Sequence, residues 1–472
     1  MGTSVISLEL EEFYGLEPFM KKNHLERRSF LKKSTALASV SIIPAHILRG
    51  ENAPSNQFRF AQIGCGGKGW VDRKGSIEAG GKVIALCDVD RERAKKATDL
   101  HSDLPFYEDY RELLDKHEKD LDGVVVTTPD HTHACVGLDA IKRGKHVYIQ
   151  KPLARTYQEC EALYLAAKKH NVVTQMGNQG HAGDGLKVYR QMMAEGLFGD
   201  VKEVHAWSNR PIWPQGMQTV PPKAEVPSTL NWDLWLGPAA KRDYAKEYLP
   251  FSWRGWWDFG CGAMGDMACH NMDPLYTVFQ LGLPKKIKAE VSDAVGVAYP
   301  TSSTVHYTFD SPISGKEMTL TWHDGKRLPT MPEGAHPELP AGTNGTMILG
   351  SKVTVMGGGT AARPRPIAIT GESYGSGVKD LERHWREESK KHKAESPYQQ
   401  WIDSAKLGKE NSLASNIDYS VPFTQGILLG CIALRFPGQE LHWDNEKKRF
   451  SNNKQANKWL KLKPRKGFSL QS

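Results

Sequence analysis

A chain of 472 residues suits two or three domains, and a hydrophobic content of 39% is enough to give each a core. The formal charge of +8 is carried by one stretch: past Asn445 the bases Lys447, Lys448, Arg449, Lys454, Lys458, Lys461, Lys463, Arg465 and Lys466 meet the single acid Glu446. The body is therefore near neutral, no nucleic-acid partner is expected, and residues 441–472 read as a solvated basic tail. The 7 cysteines are scattered without a CxxC pair, which argues against a disulfide framework or a zinc site, and no metal is expected.

Residues 1–53 read as a targeting segment. Arg27-Arg28-Ser29-Phe30-Leu31-Lys32-Lys33 has the twin-arginine form, and a short apolar stretch, Ala36 to Ile43, follows it. The acids Glu9, Glu11, Glu12 and Glu17 fit such a leader poorly, so a start at Met20 is expected. Export through the twin-arginine translocation machinery to the periplasm is the resulting expectation.

Residues 54–177 alternate apolar strands and helices at βαβ spacing. The strands are Phe58–Ile63, Val83–Cys87, Gly123–Thr127, His146–Ile149 and Val172–Met176, with helices near 71–79, 91–100, 109–117, 133–143 and 157–169. Right-handed crossovers make this a doubly wound parallel sheet. Gly64, Gly66, Gly67 and Gly69 sit between the first strand and its helix, and Asp88 follows the second strand. In that setting the glycines permit a tight turn, a close approach by a pyrophosphate and close helix packing, and Asp88 accepts from a ribose hydroxyl. The loop predicts a nicotinamide dinucleotide. Asp88 favours NAD, while Arg91 and Arg93 leave NADP open.

Residues 178–440 change pattern. A helix at 186–195 and a strand at 201–208 lead into a Pro- and Trp-rich stretch, 209–259, with little periodicity. A helix is predicted over 262–281, followed by alternating runs at 288–297, 304–309, 318–323 and 347–356, then helices at 398–407 and 422–434. This predicts an α+β domain with an open, mostly antiparallel sheet.

Taken in order, four motifs resemble those of the Gfo/Idh/MocA oxidoreductases: the glycine loop, Thr128-Pro129-Asp130-His131-Thr132-His133, Gly144 to Pro152 ending in Gln150-Lys151-Pro152, and Gly265-Asp266-Met267-Ala268-Cys269-His270. The likeness covers residues 58 to about 436, and the leader and Trp-rich insert are similar to those of the family's exported members. It implies hydride exchange between nicotinamide and a sugar or polyol carbon. It also implies His270 as base, Asp266 orienting it from the same helix face, and Lys151 stabilising alkoxide character. Pro129, Asp130, His133 and Gln150 would contact the cofactor, with Asp130 also able to cap its helix. Gln150 stands where the family commonly has Glu, so Lys151 lacks that neighbouring charge. Asn178, Gln179, His181 and Asp273 are candidates for sugar hydroxyls, Trp257 for a sugar platform and Arg254 for an acidic sugar or sulfate.

Export implies tightly held NAD, since soluble NAD is scarce outside the cytoplasm, and the family implies a homo-oligomer. A second reading keeps the same residues but has bound NAD serve a redox glycosidase that cleaves through a keto-sugar without net oxidation.

Overall fold

Phe58–Ile63 (β1) and Gly123–Val126 (β4) are buried almost throughout on both faces, as strands between two helix layers must be. In the computed structural model, which describes residues 57–468 apart from 250, 311–314, 336–341 and 413, they lie at the centre of a six-stranded parallel sheet. Its order is β3-β2-β1-β4-β5-β6, with β2 at Gly81–Cys87, β3 at Phe106–Tyr107, β5 at His146–Ile149 and β6 at Thr174–Met176. The crossover helices are α1 (Lys68–Glu78), α2 (Arg91–Leu100), α3 (Tyr110–His117), α4 (Asp130–Lys142) and α5 (Tyr157–His170). The twin-arginine segment lies outside the described residues.

Beyond α6 (Asp184–Ala194) the second sheet has nine strands in the order β13-β12-β11-β7-β10-β9-β8-β14-β15. These are β7 (Val201–Ser208), β8 (Lys286–Val291), β9 (Ser303–Asp310), β10 (Glu317–His323), β11 (Asn344–Gly350), β12 (Val353–Gly358), β13 (Arg365–Ile369), β14 (Glu440–Asp444) and β15 (Arg449–Phe450). Pairing is antiparallel except for β7 with β10, which is parallel. Against one face lie α8 (Gly262–Asn271) and α12 (Ile417–Ala433), and α12 also packs on α5, joining the two sheets into one body. The remaining helices are α7 (Trp232–Leu236), α9 (Asp273–Val278), α10 (Ser376–Ser389) and α11 (Pro397–Leu407).

Several expectations change. The helix predicted over 262–281 breaks at Met272, because Pro274 can supply no helical N–H and starts a new helix, α9, near its own N-terminus. Asp273 therefore opens α9 rather than continuing α8. The run 347–356 is a hairpin, β11–β12, not one strand. The basic stretch is not frayed through 468: β14 extends the second sheet, and Arg465 donates to the Gly237 and Asp233 backbone oxygens at 3.0 and 2.6 Å.

Close packing at the start of α1 decides one side chain outright. A Cβ on Gly69 would strike the Gly64 carbonyl oxygen. Gly69→Ala is therefore expected to destabilise the protein by about 1–3 kcal/mol, read as a shifted denaturant midpoint, whereas Gly282→Ala, in open space, should leave the midpoint unchanged.

Candidate active site

Strand register levels the C-terminal edge of the parallel sheet. Ile63 pairs with Cys87 and with Val126, Val126 with Ile149, and Ile149 with Met176. The residues that follow, Gly64, Asp88, Thr127, Gln150 and Gly177, leave the sheet side by side. The first four border a cavity of about 440 Å³ where a sheet of this kind receives its ligand.

The outer half of the cavity fits a dinucleotide. Gly64 has φ +86° and no room for a Cβ beside the Thr127 carbonyl, and Arg93 crowds Gly66. Asp90 caps α2, Asp109 caps α3, and a Thr156–Glu159 box caps α5. By contrast α1 and α4, whose first residues line the cavity, have no side-chain cap, and α1 has no acid in its first turn. An uncapped helix start keeps N–H groups and a partial positive charge available for phosphate. Asp88 accepts from the N–H groups of Cys65 at 2.8 Å and Asp90 at 3.1 Å, and burial raises its carboxyl. Arg91 is bound to Glu108 at 2.7 Å, while Arg93 stays at the glycine loop.

A roof from the Trp-rich insert and the C-terminus covers this half. Leu230, Leu234, Trp235, Leu249 and Phe468 line it. The roof is sewn to the β2–α2 loop by main chain: Arg91 N–H donates to the Thr229 carbonyl at 3.0 Å and Asn231 N–H to the Val89 carbonyl at 2.8 Å. Arg465 fastens the terminal stretch to α7, and Phe468 lies under the Arg111 guanidinium at 4.8 Å. No local pattern in the sequence marks the roof, because its ties join segments more than a hundred residues apart.

At the inner end Lys151, just past β5, donates to Asp266 of α8, with Nζ 2.7 Å from Oδ1 and 2.9 Å from the backbone oxygen. Arg254 Nε reaches the same Oδ1 at 3.2 Å. Burial alone would raise the Asp266 carboxyl, but Lys151 and then Arg254 outweigh it and hold it well below the usual carboxylate range. The expected Asp266–His270 pair is thus not the contact made, because the two cations take the carboxylate. His270 lines the cavity with Nδ1 unpartnered among the described residues. Burial, then the Lys151 charge, holds it down to about 3, so the ring is neutral.

Pro129, Asp130 and His133 line the cavity as expected. Asp130 does not cap its own helix, where Pro129 occupies the cap position. Its carboxyl instead accepts from the Cys261 N–H at the start of α8, 3.1 Å away, and burial pushes it up to about 7 against the pull of Arg254 and Lys151. Both ring nitrogens of His133 lie 2.8 Å from carbonyl oxygens, of Pro152 and Thr128, and burial lowers it to about 4. Gln150 donates to Asp72 of α1 at 2.9 Å, and Thr127, Tyr398 and Lys68 also converge on that buried carboxylate. The carboxylate absent at position 150 is therefore matched by one entering from α1. The Lys68–Asp72 spacing of four was the one sequence sign of it.

The remaining candidates divide. Gln179 and Arg254 line the cavity; Asn178, His181, Asp273 and Trp257 do not. His181 Nδ1 and the Tyr419 hydroxyl both bind Asp273 Oδ1, at 2.8 and 2.5 Å, in a buried knot under the helix break. Trp257 packs on Tyr299 and under Arg435, whose guanidinium is 3.8 Å from its ring. Among the described residues no cluster of His, Cys, Asp and Glu could hold a metal ion.

Comparison with known proteins places this site in context. Residues 58–178 match the oxidoreductase family, NAD-binding Rossmann fold, and residues 187–327 match the oxidoreductase family, C-terminal alpha/beta domain, both of the GFO/IDH/MocA group. The chain is 29% identical over 145 residues to inositol 2-dehydrogenase of Salmonella typhimurium, covering 30% of this chain and 43% of that protein. It is 29% identical over 214 residues to α-N-acetylgalactosaminidase of Shewanella oneidensis, covering 38% and 45%. The matched segment thus spans less than half of each curated relative. The WlbA dehydrogenase of Bordetella pertussis, solved with NADH and UDP-GlcNAcA, superposes with a TM-score of 0.56 at 16% identity, over 82% of this chain and 98% of that one. An inositol dehydrogenase homologue of Azotobacter vinelandii, solved with NADH and myo-inositol, gives 0.51 at 16% identity, over 82% and 98%. These solved structures share the fold.

Asp130 offers a signed pH test. Its carboxyl is raised from an ordinary 3.8 to about 7, so the folded state binds its proton more tightly than the unfolded state. That contribution is present below about pH 4 and lost as pH rises through 7. Asp130→Asn removes the titration and keeps an acceptor for the Cys261 N–H. The melting temperature of the variant relative to the parent should therefore rise between pH 5 and pH 8; a pH-independent difference would contradict the assignment.

Proposed function

The chain belongs to the Gfo/Idh/MocA family of NAD-binding oxidoreductases, and from that premise we propose that it is an exported enzyme that exchanges hydride between a sugar or polyol carbon and NAD. The observation that carries the reading is the meeting of Lys151, Asp266 and His270 at the inner end of a cleft whose outer end fits a dinucleotide. Bound NAD would supply the hydride acceptor; the chain supplies proton handling and charge.

His270, neutral and at the wall of the cleft, takes the hydroxyl proton. Lys151 is held by Asp266 through two of its three N–H groups, which leaves one for the substrate oxygen and steadies alkoxide character there. NAD is favoured over NADP: Asp88 presents a carboxylate where a 2′-phosphate would lie, and Arg91 is engaged by Glu108. The roof of insert and terminal residues favours slow release of the cofactor, which suits a protein that carries its NAD through export. Export itself rests on the twin-arginine motif of the sequence, and no helix among the described residues is long and apolar enough to cross a membrane.

The likeness to α-N-acetylgalactosaminidase supports a second reading, a redox glycosidase that uses the same residues and returns the hydride within each cycle. Products separate the two. Net oxidation leaves a keto-sugar; the glycosidase releases aglycone from a nitrophenyl glycoside with no reduced cofactor accumulating. On either reading His270→Ala should lower turnover by at least about a hundredfold while NAD remains bound. Turnover within about tenfold of the parent would remove His270 from the role of base.

A further inference from the structure

This inference rests on the sugar-oxidising reading and narrows its substrate. Two side-chain cations at the inner end of the cleft share one carboxylate. Lys151 and Arg254 both bind Asp266 Oδ1, at 2.7 and 3.2 Å. Arg254 also donates from Nη1 to the Phe251 carbonyl at 3.4 Å, and its second amino group has no hydrogen bond to the described residues. The guanidinium is set by two aromatic faces, 4.2 Å from the Trp253 ring and 4.5 Å from the Phe251 ring. Both rings line the cleft, as do Lys151, Arg254, Asp266 and His270.

The other titratable groups facing this point do not restore neutrality. His270 is uncharged, and Asp130 holds its proton up to about pH 7. Position 150 is an amide, and Asp72 behind it is matched by Lys68 at 3.3 Å. While Asp130 keeps its proton, the inner end therefore carries more positive than negative charge. A guanidinium with one edge taken and another open to the cleft receives oxyanions through paired N–H groups.

We propose that the sugar oxidised at this site carries an anionic oxygen group on its ring, a carboxylate or a sulfate ester, received by the open edge of Arg254 with Trp253 and Phe251 against the ring. Such a group would anchor the sugar while Lys151 and His270 act on a hydroxyl.

The test uses the full-length protein with its bound NAD. Calorimetric titrations compare glucose, glucuronate and glucose 6-sulfate, and the galactose and mannose series likewise. At least one acid should bind at least about tenfold more tightly than its neutral parent, with the preference lost in Arg254→Gln and partly kept in Arg254→Lys. Preference for the uronate assigns a carboxylate; preference for the sulfate assigns a sulfate ester. Equal binding of acid and neutral sugars, no binding in any series, or a preference unchanged in Arg254→Gln would overturn the proposal. Reduction of the bound NAD is followed separately. Acid preference without NAD reduction would remove the redox reading and leave the anion site standing, while oxidation of neutral sugars without acid preference would do the reverse.

Discussion

Three separate parts of the chain meet at one oxygen atom. Asp266 Oδ1 accepts from Lys151 at the end of the parallel sheet and from Arg254 in the Trp-rich insert, while Asp266 itself stands on α8 of the second domain. The spacing between Lys151 and His270 follows from this contact, since His270 is one turn along α8 from the residue that holds Lys151. The contact also settles protonation. The carboxylate stays ionised between two cations, and the Lys151 charge adds to burial in keeping His270 neutral. Removing either cation would leave part of a buried charge uncompensated, which is why such clusters act as a unit.

Around that point the fold distributes tasks by where its helices begin. Helices α2, α3 and α5 satisfy their first N–H groups with their own side chains. Helices α1 and α4, which begin at the levelled edge of the sheet, have no such caps and present their N-termini to the cleft. The register that aligns Gly64, Asp88, Thr127 and Gln150 sets these helix starts beside one another. The insert and the terminal stretch then close the outer half, the insert fastened to the β2–α2 loop by main-chain bonds and the terminal stretch to α7 by the Arg465 side chain.

Much of this was readable from the residues. The parallel sheet followed from apolar runs separated by helical stretches, and the glycine loop with Asp88 stood in its expected place. Lys151, Asp266 and His270 came together as their motifs implied, although the partner of Asp266 differed. What escaped notice has a common cause. The break at Pro274, the path of the insert and the folded terminal stretch depend on contacts between distant segments, and local periodicity is silent about these. His181 and Asp273, candidates for sugar hydroxyls from the sequence, instead form a buried knot with Tyr419 at the break between α8 and α9. The change of Glu to Gln at position 150 seemed to take a charge from the site, and only the packing of α1 revealed Asp72 behind it.

A cleft that holds NAD under this roof, with Lys151 and His270 at the reacting carbon, should keep its cofactor through purification. The most direct test is to denature the protein as purified, without added nucleotide, and identify what it releases by mass spectrometry. NAD or NADH should appear in near-stoichiometric amount. Protein that releases no dinucleotide, and binds none when NAD is supplied, would contradict it.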